Sequence, residues 1–407
     1  MDILFINQSY YPDMTASSQY LADLTESLSQ SGHKVTVLAG RRNYLNPQQV
    51  YAKREVHNGV DIIRVHAPKF SKSSRLRRMM SAALHNLGFL VQLLFMKRQD
   101  VIVAMTSPPL IAFVAMIYAK LKHVPFVYWI MDINPDQAIS IGWLKENSLM
   151  ARTANRMFKT TLKNADRVIV LDEFMKARLL EKKCTTREIH AVPLWSNINV
   201  DTIDFDYLSK IRQEHNLQDK FVLMYAGNLS ISHSVETILK AAQALQMDER
   251  IVFCFAGGGA RKMEVEVFQA KHHLKNIMML PYVPKEKLKD LLLAADAHFV
   301  VMGESQVGIV HPSKIYSILA LGKPFIYIGP ENSFIGTLVK GHAVGVHVNQ
   351  GQVNTLVEKI HILKNQSLEE RRGYFRKQCA LAREFDRKKL TKELENIIMS
   401  TQKDARG

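Results

Sequence analysis

Residues 307–324, VGIVHPSKIYSILALGKP, set a proline, a hydroxyl and an ammonium side by side where a helix should begin. Pro312 suits a first helical turn, because its missing N–H is no loss there. Ile315 and Leu319 share a face, and Gly322 and Pro324 stop the helix. The backbone N–H groups of Ser313, Lys314 and Ile315 would then point outward beside the Ser313 hydroxyl and the Lys314 ammonium, an arrangement that suits a phosphate or diphosphate. The same residues also make an ordinary capped helix after a strand. A second chemical feature is the carboxylate pair Asp132 and Asp136 around Pro135, just after the apolar run 126–131. Both could face a ligand, or Asp136 caps the next helix and Asp132 holds the turn.

These residues need elements to hold them. In the first half, short β-branched runs at 3–7, 34–39, 60–65, 101–105, 126–131 and 167–171 alternate with helical patterns near 17–31, 75–97, 109–122 and 148–165. That alternation implies an α/β fold with a parallel sheet covered on both faces. After an acidic, irregular stretch at 198–208, the pattern restarts with strands at 221–226, 251–256, 277–280, 297–301 and 325–328. The reading is two doubly wound domains, 1–200 and 201–378, facing a cleft fed by loops at the strand ends. The tail, 379–407, reads as an amphipathic helix whose Phe385, Leu390, Leu394 and Ile397 could cross back onto the first domain; a dangling or oligomerising helix fits the same pattern.

Composition sets bounds. A chain of 407 residues exceeds what one core usually serves, and 47% hydrophobic with 23% charged residues is the balance of a folded globular protein. The formal charge of +16 predicts attraction to phosphates, whether of nucleic acid, anionic lipid or a phosphorylated substrate. Cys184, Cys254 and Cys379 are far apart and in no metal-like spacing, which suggests a reducing compartment and no disulfide framework. The opening MDILFINQ reads as a first strand and not a signal peptide, and no run is long enough for a membrane span. The expectation is a cytoplasmic protein.

Four segments of the second half, YAGNLSISHSVE, CFAGGGARK, LPYVPKEKLKDLLLAADAHFVV and the PSK helix, occur in an order that resembles the nucleotide-sugar domain of GT-B glycosyltransferases of the retaining family 4. With MDINPDQAIS and YYPDMTASSQYLADLTESLSQSGHKVTVLAG in the first half, the chain looks like the branch that builds bacterial capsule, O-antigen and colanic-acid-type polysaccharides. The resemblance runs from residue 1 to about residue 350 and implies a GT-B fold. It also implies sugar transfer from a nucleoside-diphosphate sugar, UDP-linked, to a glycan carried on polyprenyl diphosphate, with no metal or other cofactor. The sugar would be an N-acetylated or deoxy hexose.

The resemblance also distributes roles. Gly227 lets a ligand approach the backbone, Asn228 offers an amide, and His233 stands where many members carry a basic residue toward the donor diphosphate, donating a hydrogen bond with part of a charge. Gly257 and Gly258 belong to the donor side, with Arg261 and Lys262 behind them. Tyr282 and Val283 would lie along the nucleobase, although a proline-stiffened strand exit explains them too. Most members carry two glutamates eight positions apart around this helix; here Ile309 and Ser317 take those positions. Glu304 is near enough to serve a sugar hydroxyl. Pro312, Ser313, Lys314 and Ile315 would hold the diphosphate and stabilise the departing charge. Asp132, with Asp136, would orient the acceptor hydroxyl. Thr15, Ala16 and Ser17 replace the family's glycine pair at the acceptor side.

Basic residues (Lys69, Lys72, Arg75, Arg77 and Arg78) precede an apolar helix carrying Phe89 and Phe95, Lys97 and Arg98 follow it, and no acidic residue intervenes between Val65 and Asp100. This suits a helix lying on an anionic bilayer, with the protein peripheral on the inner face of the plasma membrane. A buried helix with a solvated basic edge is the alternative. Other functions considered are a nucleotide-sugar epimerase, which lacks a convincing acid/base set, and a catalytically lapsed GT-B protein acting as a membrane-associated binding partner. A nucleic-acid protein is suggested by charge alone, with no recognition helix or aromatic platform to support it.

Overall fold

The computed structural model describes residues 1–43, 46, 48–66, 75–183, 188–196, 198 and 205–404. In chain order the elements are β1 (Asp2–Ile6), α1 (Ala16–Gln30), β2 (Lys34–Gly40), β3 (Arg54–His57), β4 (Val60–Val65), α2 (Arg75–Leu94), β5 (Val101–Ala104), α3 (Ile111–Lys122), β6 (Phe126–Trp129), α4 (Asp136–Ser140), α5 (Leu149–Asn164), β7 (Arg167–Val170), α6 (Glu173–Glu181) and β8 (Ile189–Ala191). They continue with α7 (Phe205–Glu214), β9 (Phe221–Asn228), α8 (Glu236–Ala244), β10 (Ile251–Gly258), α9 (Lys262–Lys271), β11 (Ile277–Leu280), α10 (Lys285–Leu293), β12 (Ala297–Val301), α11 (Lys314–Leu321), β13 (Phe325–Ile328), α12 (Phe334–His342), β14 (Val346–Val348), α13 (Val353–Lys364), α14 (Leu368–Ala382) and α15 (Arg387–Asp404).

The chain divides into two compact units. The first holds Met1–Leu194, Gly308–His311 and Arg387–Gly407; the second holds Trp195–Val307 and Pro312–Asp386. The unit boundary therefore falls a few residues before the expected 200/201 division, and the second unit extends past 378. Cys184 and part of the 198–208 stretch lie outside the described residues.

In the first unit eight strands run in the order β3-β4-β2-β1-β5-β6-β7-β8, parallel except for the edge pair β3 and β4. The inner strands are apolar on both faces, as a sheet covered by helices on each side requires: Ile3, Leu4, Phe5 and Ile6 are all fully buried. Helix α1 starts where Thr15 accepts a hydrogen bond from the Ser18 N–H and stops at Ser31-Gly32, as the sequence suggests. The last helix, α15, belongs to this unit. Leu390, Leu394, Ile397 and Ile398 are buried, Arg387 pairs with Asp23 at 3.1 Å, and His33 meets Glu395 at 3.4 Å. Phe385 does not join them. Its ring packs edge-on against Tyr316 in the second unit, 4.9 Å between centroids, because it precedes the helix and the unit boundary.

The second unit carries six parallel strands in the order β11-β10-β9-β12-β13-β14. Numbered within the unit this is 3-2-1-4-5-6, so the order reverses between β9 and β12, and a ligand crevice is expected beyond their C-terminal ends. Two apolar layers, one around Leu223, Phe253 and Phe299, the other around Met224, Leu291 and Ala295, sandwich the sheet.

Candidate active site

Just beyond the reversal point, three segments of the second unit converge. Strand β9 ends in Tyr225-Ala226-Gly227-Asn228, and β10 pairs with it in register, Gly257 opposite Gly227 and Gly258 opposite Asn228. Lys314, the first residue of α11, sends its side chain in against this edge. Its Nζ lies 3.6 Å from the centre of the Tyr225 ring and is buried without a hydrogen-bond partner among the described residues. Tyr225 and Gly227 stand two apart on the strand and so share a face. A Cβ at Gly227 would come within 2.9 Å of Lys314 Cε, and the glycine φ of +111° disfavours any side chain there. The missing side chain thus makes room for the lysine. Gly257, at φ +130°, is needed because a Cβ would overlap the Gly227 carbonyl oxygen.

Desolvation pushes the Lys314 ammonium down to about 7. The ring face beneath it offers a cation–π attraction and no hydrogen bond, which leaves its donors unspent. His233 differs from expectation. Burial first, then the nearby Lys314 charge, hold its pKa at about 3, so the imidazole is neutral and carries no share of positive charge. The Tyr225 hydroxyl donates to the Asn228 carbonyl at 2.9 Å and meets His233 Nδ1 at 2.8 Å.

The helix start is also corrected. It begins at Lys314, with Ser313 as a cap that makes no side-chain capping bond. The Ile315 N–H bonds to the Pro312 carbonyl at 3.3 Å, so among the described residues the N–H groups of Ser313 and Lys314 remain without an acceptor, and that of Ile315 does not. Ser317 is half-buried one turn on, Ile309 is buried, and Glu304 is exposed in a 3-10 turn after β12. Tyr282 is half exposed, packed over Gly258 with its hydroxyl 3.4 Å from the Gly258 carbonyl, and Val283 is packed against the core. Arg261 is spent within the unit: it donates to the Ile231 carbonyl and to Glu264, and so steadies the loop that carries His233.

In the first unit, Asp132 follows β6 as a half-buried residue whose carboxylate has no partner among the described residues, and desolvation raises it to about 6. Asp136 is another matter. It is buried, with one oxygen 2.7 Å from Arg178 Nε and the other 2.8 Å from Lys182 Nζ, so it ties α4 to α6 and is not open to an acceptor. Thr15 caps α1 with its hydroxyl, Ala16 is exposed and Ser17 half-buried at the same helix start. Next to Asp132, the Ile133 N–H donates to the Ile309 carbonyl at 2.9 Å. His311 Nδ1 lies 2.6 Å from Asp172, whose other oxygen caps α6. Sequence reasoning passed over Tyr225, Asp172 and His311. The signals available were an aromatic two residues before the strand-end glycine and a histidine directly before the PSK proline.

The expected membrane face needs one correction. Phe89 is fully buried, whereas Phe95 is 83% exposed. Arg75, Arg77 and Arg78 begin α2, but their side chains lie outside the described residues, as do Lys69 and Lys72. Among the described residues no helix is long and apolar enough to cross a membrane.

Comparison with known proteins bears on the whole arrangement. Residues 15–195 match the Glycosyl transferase 4-like domain and residues 209–379 match Glycosyl transferases group 1. The chain belongs to the GT-B glycosyltransferases of family 4. The transferase is 26% identical over 426 aligned positions, covering all of both chains, to an Escherichia coli protein named as a colanic acid biosynthesis glycosyl transferase, WcaI. It is 24% identical, over 68% of its length and 70% of the relative's, to a Pseudomonas aeruginosa protein named as a glycosyltransferase, WbjE. Among solved structures, Anabaena HepE in complex with UDP superposes with a TM-score of 0.70 at 15% identity, covering 98% of the transferase and 100% of HepE. WaaG, described as a glycosyltransferase involved in lipopolysaccharide biosynthesis, superposes with a TM-score of 0.69 at 15% identity, over 97% and 99% of the two chains. The structural likenesses speak to the fold.

Proposed function

We propose that this transferase moves a hexosyl group, N-acetylated or deoxy, from a UDP-sugar onto a glycan carried on polyprenyl diphosphate, in bacterial surface polysaccharide synthesis at the inner face of the membrane. The observation that carries the reading is the buried Lys314 ammonium, without a hydrogen-bond partner among the described residues, at the strand-order reversal of the second unit. A diphosphate there exchanges a ring face for charge-assisted hydrogen bonds, with the Ser313 and Lys314 N–H groups beside it. WcaI's name supports the polysaccharide class, and the UDP and UDP-glucose bound in HepE support the donor.

In the transfer, the bond between the anomeric carbon and the diphosphate oxygen breaks and its electron pair stays on the diphosphate. The acceptor hydroxyl oxygen bonds to that carbon, and its proton passes to the departing diphosphate. Lys314 stabilises the negative charge that develops, a task the reading gives to no metal. Asp132 takes the supporting role of orienting the acceptor hydroxyl. The lipid side of the reading is supported by the formal charge of +16 and by the exposed Phe95 beside Lys97 and Arg98.

The test is UDP binding by calorimetry. A charge-assisted hydrogen bond contributes about 1.5–3 kcal/mol, so Lys314→Ala should weaken UDP binding roughly 10- to 100-fold with an unchanged circular dichroism spectrum. Wild-type affinity in that variant would put the diphosphate elsewhere.

A further inference from the structure

Within the first unit, between α2 and the end of β4, lies a cavity of about 550 Å³, inside the roughly 300–1,000 Å³ range of small-molecule sites. On the helix side it is lined by Leu84, Leu87, Gly88 and Val91, with Gln92 the one polar residue there; the other lining residues include the cations Arg41 and Lys53 and the imidazole of His66, and none of the described lining residues is acidic. Arg64 also lines it, but its guanidinium is already committed to the Tyr11 carbonyl and Glu55. Lys53 is exposed and has no partner among the described residues, and Arg41 spends only Nε, on the Tyr51 carbonyl.

The apolar wall is also open to water. Leu87 is 55% and Val91 47% exposed, and with Met80 and Leu94 they form a stripe at helical spacing on the side of α2 away from buried Phe89 and Leu93. An exposed apolar stripe of this kind marks an interaction surface. Its joining to a cationic wall selects among occupants. A neutral lipid leaves the cations unused, and a free phosphate leaves the stripe bare.

We propose that this cavity binds the end of one lipid phosphate, with the phosphate or diphosphate against Arg41, Lys53 and His66 and the first carbons of the chain along Leu84, Leu87 and Val91. The proposal deepens the reading above and rests on its lipid-borne acceptor, for which it names a holding site in the first unit. Arginine's planar fork and the lysine ammonium both suit a phosphate, and an alkyl chain needs no polar partners on the helix side.

The experiment is calorimetric binding of farnesyl diphosphate below its micelle concentration, with UDP in excess so that the donor-side diphosphate site is filled. Farnesol and inorganic pyrophosphate are the single-feature controls, and Lys53→Glu and Val91→Glu are the variants. Saturable binding at least tenfold tighter than either control, lost at least tenfold in each variant while UDP affinity is unchanged, is the expected result. Equal affinity for pyrophosphate would make this a bare anion site, and equal affinity for farnesol a nonspecific apolar groove; either overturns the proposal. So does binding that both variants leave intact, or no binding at all. If UDP still binds through Lys314 in that case, the donor reading stands and only the lipid site is lost.

Discussion

An ammonium held out of water above an aromatic face is poised to receive an anion, and Lys314 is such a group. Its pKa without donor, pushed down to about 7 by desolvation, sets a pH dependence with a definite sign. A diphosphate binds the protonated form and favours it, so above pH 7 binding must draw in a proton. UDP affinity should therefore fall as pH rises from about 7 toward 9, by at most about tenfold per unit, and the fall should be absent in Lys314→Ala. Calorimetry in buffers of different ionisation heat reads both the slope and the proton uptake, and the ligand's own ionisation is common to the two proteins. The lysine was legible in the sequence because its neighbours are a proline and a serine at a helix start. Its seat was not, because Tyr225 in YAGN reads equally well as a core aromatic. Nor was the fate of Asp136, whose partners Arg178 and Lys182 come from another helix.

Among the elements, the junction of β9, β10 and α11 is the most tightly specified. Gly227 is the joint: a methyl group there meets the Lys314 side chain at 2.9 Å and imposes a positive φ on alanine. Gly227→Ala should cost about 1–3 kcal/mol in urea unfolding and weaken UDP binding at least tenfold by moving Lys314 off its seat. An alanine variant that binds UDP normally would show that the lysine can be re-seated freely. The alternation of strands and helices was readable throughout, since buried parallel strands appear as unbroken apolar runs. Two details escaped for physical reasons. The first turn of α11 is tightened by the Pro312-to-Ile315 hydrogen bond, which moves the helix start to Lys314. Helix α2 carries apolar residues around most of its circumference, so periodicity could not say that Phe89 is buried while Leu87 and Val91 stay exposed.

For the molecule as a whole, the expectation of two α/β bodies holds, but their division along the chain is not a simple halving. Helix α15 completes the first unit through Leu390, Leu394 and Ile398. Leu394→Ala should lower the stability of that unit by about 2–4 kcal/mol, seen as an earlier urea transition, while UDP binding to the second unit persists. Coincident loss of UDP binding at low urea would mean the two bodies do not melt separately. The crossing of the chain also has a bearing on biosynthesis. Residues 195–307 and 312–386 form a lobe enclosed within the sequence of the other, so a ribosome releases every part of the later-starting lobe before it delivers the helix that the earlier-starting one needs. During translation the second unit can close first, and the unit begun first must wait, with the α1 surface that receives α15 uncovered, until α15 emerges.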